Sequence, residues 1–206
     1  MADRLSLLLW MNAPRGGQPR QGPNPFRRLE KLLRKFPFSR LAFAAPESRA
    51  ESILRVHALN WAEPPLAEYA LSGPPDVDEI LRLAREFQDR DSGVQLETLW
   101  DLWAEIAGDW KLTPIPISIW MFQEEFEREE GEDFRIDFGP EVRFLPLEGS
   151  RQQDARMVKA NVQSLLQLVH DIEDTLPVRE RRLWSESGVN FADKLQRLTN
   201  PSAERQ

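Results

Sequence analysis

The sequence predicts an α+β fold: an antiparallel sheet built around a ferredoxin-like βαββαβ unit, extended by further strands, with C-terminal helices. Three observations predict it. Early apolar segments follow the order strand, helix, strand, strand, helix. Apolar residues then recur at a period of two between 94 and 138, and at threes and fours after 155. A chain of 206 residues can bury a sizeable core. The expected organisation is a single domain, with the ferredoxin-like unit over 1–103, additional strands over 104–150 and C-terminal helices over 151–206.

Leu5–Trp10 is an apolar run that reads as a buried first strand; Asp3 before it and Asn12-Ala13-Pro14 after it argue against a signal peptide. Met11–Asn24 holds Pro14, Gly16, Gly17, Pro19, Gly22 and Pro23 and reads as a long exposed loop. Asn24-Pro25 then opens a helix, because Asn accepts an orphan N–H and proline has none to satisfy. Phe26, Leu29, Leu32, Leu33 and Phe36 form its apolar face, and Pro37 stops it. Arg40–Ala44 and Ile53–Leu59 read as short strands, while Leu66–Leu71 is ambiguous. Asp76 with Glu79 three residues later caps a second helix, lined by Val77, Ile80, Leu81, Ala84 and Phe87.

Val94–Trp103 fits both periodicities, and its aromatic enrichment favours a strand. Gly108-Asp109 is a turn before a returning strand at Trp110-Lys111-Leu112. Ile115, Ile117, Ile119 and Met121 alternate as a strand whose Pro116 predicts an edge or bulge at its start. Phe134, Ile136 and Phe138 form another strand, with Val142–Leu145 as a short extension. Ala155–Leu176 is the clearest helix, ended by Pro177. Val178–Trp184 reads as one or two helical turns, and Asn190 as the cap of a last helix through Leu195 and Leu198.

Charge is segregated along the chain. Residues 1–57 carry eleven Lys/Arg against four Asp/Glu, residues 58–150 seven against twenty-two, and residues 151–206 nine against eight. The segment charges of +7, −15 and +1 sum to −7. Such asymmetry bears on partners rather than on fold. The absence of cysteine excludes disulfides, thiol catalysis and thiolate metal sites, and fits a reducing cytoplasm.

Two surfaces stand out. Glu124, Glu125, Glu127, Glu129, Glu130, Glu132 and Asp133 place seven carboxylates in ten residues. The pattern lacks the spacing of a calcium loop and reads as a solvated connection able to dock a basic protein. Trp100, Asp101, Trp103 and Trp110 are the expected aromatic anchor, because an exposed tryptophan brings large area at little entropic cost. On a strand Trp100 and Trp103 point to opposite faces. Arg27, Arg28, Lys31, Arg34 and Lys35 make the first helix basic, a surface for phosphate or an acidic partner. No nucleic-acid signature accompanies it, and the net charge argues against nucleic acid as a partner.

His57 and His170 are the only histidines, without metal-ligand spacing. Gly-x-Ser-x-Gly and phosphate-loop patterns are missing. No catalytic residue, cofactor, metal or membrane segment is expected. The favoured function is an acidic protein–protein interaction module, such as an immunity-type inhibitor of a basic partner. The alternatives are a small-ligand binder or hydrolase-like enzyme with a carboxylate/His/Trp cleft, and a structural homodimer.

Overall fold

The computed structural model describes residues 3–12, 24–44, 50–88, 90–128, 130–145, 152–185 and 191. The described elements are β1 (Arg4–Met11), α1 (Pro25–Lys35), β2 (Glu51–His57), β3 (Ala67–Ser72), α2 (Val77–Arg85), β4 (Gly93–Ile106), β5 (Asp109–Phe122), β6 (Phe134–Pro140), α3 (Gln152–Thr175) and β7 (Val178–Ser185). They form one seven-stranded sheet in the order β3-β2-β4-β5-β6-β1-β7, with every neighbouring pair antiparallel. No helix among the described residues is long and apolar enough to cross a membrane.

The element order of the expected βαββαβ unit is present, but the sheet order does not show the ferredoxin-like unit. A ferredoxin-like sheet would seat the first strand between the third and fourth. Here β1 pairs with β6 and β7, and β4 pairs with β2 and β5. Local pattern specifies strands and helices; it does not say which strand a crossover reaches.

The pairings make β1 parallel to β2, β3 parallel to β4, and β6 parallel to β7. Each of these pairs is joined through a helix: α1, α2 and α3. The first crossover moves along the sheet one way from a strand running one direction. The other two move the opposite way from strands running the opposite direction. All three therefore share one hand, which puts their helices on one face. The core agrees. Leu5, Leu7 and Leu9 of β1, Leu54 of β2, Leu96 and Trp100 of β4, and Ile117 and Ile119 of β5 pack with Leu29, Ile80 and Leu165 of the three helices. Each such side chain contributes about 1.5–3 kcal/mol when fully buried.

The helix starts follow the expected capping. Asn24 Oδ1 accepts from Phe26 N–H at 2.8 Å ahead of Pro25. Asp76 Oδ1 accepts from Asp78 N–H at 2.9 Å. Val94–Trp103 is strand, inside the long β4, and Leu66–Leu71 resolves mostly into β3. Pro116 meets the edge expectation: β6 pairs with β5 only over Ser118–Met121, so Pro116 lies where β5 has lost its second neighbour.

Three expectations are corrected. Arg40–Ala44 is a series of bends and turns, because Asp101 captures it. The Asp101 carboxylate accepts from Ser39 Oγ at 2.5 Å and from Arg40 N–H at 2.8 Å, and an isolated bridge joins Phe38 to Trp100. Val178–Trp184 lies within a strand, not helical turns: β7 is completed by pairing with β1, a tertiary partner that local sequence cannot reveal. Glu141–Arg143 is a short 3-10 turn rather than a strand extension. The Asn190 cap and the segment from Leu195 to Leu198 lie outside the described residues, as does most of the Met11–Asn24 loop.

Candidate functional site

The helices cover one face of the sheet, and two connections meet on the opposite face. Residues 58–66 join β2 to β3, and residues 123–133 join β5 to β6. Glu127 N–H donates to Leu59 C=O at 2.6 Å and ties the two together. Beneath them is an aromatic cluster. Trp120 and Phe122 stack at 5.8 Å, Phe122 and Phe126 at 5.3 Å, and Trp61 meets all three edge-on. The Phe126 ring approaches the sheet closely because position 93 is glycine; a Cβ there would stand 2.7 Å from its ring. The Arg135 guanidinium sits 5.2 Å over the Trp61 ring, a cation–π contact that fixes the indole.

The acidic stretch divides into two kinds of residue. Glu124, Glu125 and Glu127 are exposed. Glu132 is fully buried and bonds Arg135 at 2.6 Å, while Asp133 accepts from Met11 N–H at 2.7 Å. Glu130 bonds Arg182 of β7 at 3.0 Å, and its carbonyl accepts from Trp10 Nε1. Of the six described carboxylates, Glu130, Glu132 and Asp133 thus anchor the connection, and Glu124, Glu125 and Glu127 project from it.

Beside this stands Trp61 at 36% exposed, with Leu59 at 55% and Leu66 at 45%. Trp61 is the site residue that sequence reasoning missed. It lies alone between Asn60 and a Pro-Pro pair, with no periodic neighbour to single it out. The tryptophans of the expected anchor lie elsewhere. Trp100 is 3% exposed and packs between Phe36 and Phe138. Trp103 and Trp110 lie toward the far end of the β4–β5 hairpin, about 30 Å or more along the strands from Gln123. They are half-buried against α3. Trp103 exchanges two backbone bonds with the Asn161 amide at 2.9 and 2.8 Å, and Trp110 Nε1 donates to Asp154 at 2.8 Å.

A polar row crosses the same face of the sheet. Arg55 bridges Glu68 at 2.5 Å and Glu97 at 2.7 Å. Gln95 Nε2 donates to Ser118 Oγ at 3.0 Å and to Glu97 at 3.3 Å. His57 Nε2 lies 3.4 Å from Gln95 Oε1, and its ring is 5.3 Å from Trp120. Among the described residues its Nδ1 is buried without a partner of hydrogen-bonding geometry, although the Glu63 backbone is close enough to favour the charged ring. Burial pushes the imidazole below its ordinary pKa, and Arg55 adds to that push. His170 is on the exposed side of α3, 3.4 Å from Asp174. Among the described residues, no three His, Cys, Asp or Glu side chains converge as a metal site.

The basic residues lie on the helix layer. Arg27, Lys31, Arg34 and Lys35 are exposed and Arg28 is half-buried. Arg34 pairs with Glu30 and with Asp78 of α2, and Glu30 also meets Arg85. Compared with protein-family models, curated proteins and solved structures, the chain matches none.

Proposed function

We propose that this protein is an interaction module that docks a basic protein, with Glu124, Glu125 and Glu127 as the attracting rim and Trp61 as the apolar anchor. An immunity-type inhibitor of a basic toxin is the concrete form of this reading. The observation that carries it is the Glu127–Leu59 backbone bond, which brings the exposed carboxylates beside exposed Leu59, Trp61 and Leu66. Trp61 is held from behind by Trp120, Phe122, Phe126 and Arg135, so little entropy is lost when a partner covers it. Carboxylates around such an anchor speed encounter with a cationic surface and select its sign.

The cleft-enzyme reading has less support. His57 is held by Gln95 rather than by a carboxylate, and the His170–Asp174 pair lies in solvent. The homodimer reading needs the basic helix free to meet the acidic strands of another copy, yet Arg34 is already engaged within the chain.

The test is capture at low salt, purification of the captured basic protein, and kinetic measurement of rebinding. Trp61→Ala is expected to weaken affinity by about tenfold or more. Replacing Glu124, Glu125 and Glu127 together by Gln is expected to lower the association rate and flatten its salt dependence. Rebinding that ignores both changes would sink the proposal.

A further inference from the structure

A second surface is built on the helix layer, where α1 begins. The first turn of α1 carries Arg27 and Arg28 and no acid. A helix N-terminus already bears partial positive charge, so cations there repel it and each other. Lys31 follows one turn on. With Leu176 and Pro177, where α3 gives way to β7, these three cations line a groove of about 420 Å³. Among the described residues, Glu30 is the one carboxylate in the lining, and it is taken by Arg34 and Arg85.

Arg28 is the sharpest feature of the groove. Its Nη2 donates to Asn12 C=O at 3.1 Å, but its Nε is buried and has no hydrogen-bond partner among the described residues. Burial lowers the pKa of this guanidinium, and the charge of Asp133 offsets that only in part. A partly desolvated cation beside two exposed ones, at a helix N-terminus, is an arrangement that an anion stabilises. The net charge of −7 gives the molecule no general attraction for anions, so any such binding must come from this local field.

We propose that the groove between Arg27, Arg28, Lys31 and the Leu176-Pro177 corner binds the phosphate group of a small soluble molecule. Its volume lies within the range of small-molecule sites and has room for more than the phosphate alone. This site is separate from the docking surface and does not depend on it.

The experiment is calorimetric titration of the full chain with inorganic phosphate and with pyrophosphate at low ionic strength. Saturable binding at one site is expected. Arg28→Gln and Lys31→Gln should each weaken it by about tenfold. Lys35→Gln, on the same helix but outside this groove, should change it by less than about twofold. Should Arg28→Gln fail to fold, the exposed Arg27→Gln and Lys31→Gln variants carry the test. Gln at positions 124, 125 and 127 should leave phosphate binding intact, which separates this site from the docking surface. The absence of saturable binding overturns the proposal. So does an equal loss in Lys35→Gln, which would mean diffuse attraction. Vesicles of phosphatidylcholine with phosphatidic acid form the last arm. If Arg28-dependent binding appears only there, the group recognised is a lipid headgroup and the soluble ligand is wrong.

Discussion

Individual buried polar residues show what the sheet face opposite the helices demands. His57 and Asp137 both lie there, and burial moves their pKa values in opposite directions. The His57 imidazole is pushed below 6.5, while the Asp137 carboxyl is pushed above 3.8, although it accepts from Ser6 Oγ at 2.5 Å. Each shift favours the neutral form, as desolvation requires. The folded chain therefore holds His57 neutral at a pH where the unfolded chain takes up a proton. Its contribution to stability is complete above the unfolded pKa, falls as pH drops through it, and levels off below the folded pKa. Asp137 acts with opposite sign, since its preference for the proton costs stability as pH rises above 3.8. Urea midpoints between pH 8 and pH 5 read the histidine window. The midpoint of the unmodified chain should fall across that range, and His57→Gln should remove much of the fall whatever it does to the absolute midpoint. Parallel slopes in the two chains would mean that His57 is not the group responsible.

At the scale of elements, the β4–β5 hairpin is the longest feature of the sheet, and its turn carries backbone strain. Ile106 pairs with Asp109, so the turn has two residues, Ala107 and Gly108, at φ of 54° and 86°. Positive φ at both positions marks the tight turn whose twist matches the strands. Glycine accepts it, but alanine brings its Cβ close to a carbonyl oxygen. Ala107→Gly should stabilise the chain by about 0.5–1 kcal/mol, the relief of that contact less the entropy glycine loses. Gly108→Ala should destabilise it by about 1 kcal/mol; a Cβ there meets nothing within 4 Å, so the cost is backbone alone. Thermal or urea unfolding of both variants checks the pair, and a destabilised Ala107→Gly would contradict the strain. The turn was legible as Gly108-Asp109, one residue late, because Ala is not a turn signal. The helices at Pro25, Asp76 and Ala155 were legible through caps and period. β7 was not: Val-Arg-Glu-Arg-Arg-Leu-Trp-Ser has no apolar alternation, since an edge strand exposes most of its side chains.

Across the whole molecule, the charge segregation of the sequence becomes a division between layers, with the cations of α1 on the helix side and the projecting carboxylates on the other. The acidic half of the candidate site was therefore legible and its tryptophan was not, because the partners of Trp61 come from residues 120–135, far along the chain. The same long-range logic governs β1. Leu5, Leu7, Leu8 and Leu9 are at most 2% exposed and Trp10 is 7% exposed, so this strand is buried on both faces. It is not an edge because β7 lies beside it, and β7 carries Arg179, Glu180, Arg181 and Arg182, charges that discourage pairing with another chain. Arg182 also spans the Trp10 ring at 5.4 Å, and Arg181 pairs with Glu173 of α3. Detaching β7 should convert the most apolar strand of the sheet into an open edge. Replacing Arg181 and Arg182 together by proline does this without shortening the chain. Successive backbone N–H groups alternate in direction, so one of the two must face β1 and is lost. The double variant should aggregate at concentrations where the unmodified chain stays dispersed. Hydrogen exchange at β1 should accelerate, while the centre of the β4–β5 hairpin keeps its protection. A double variant that stays dispersed, with β1 amides still protected, would mean that β1 does not rely on β7 for its second neighbour.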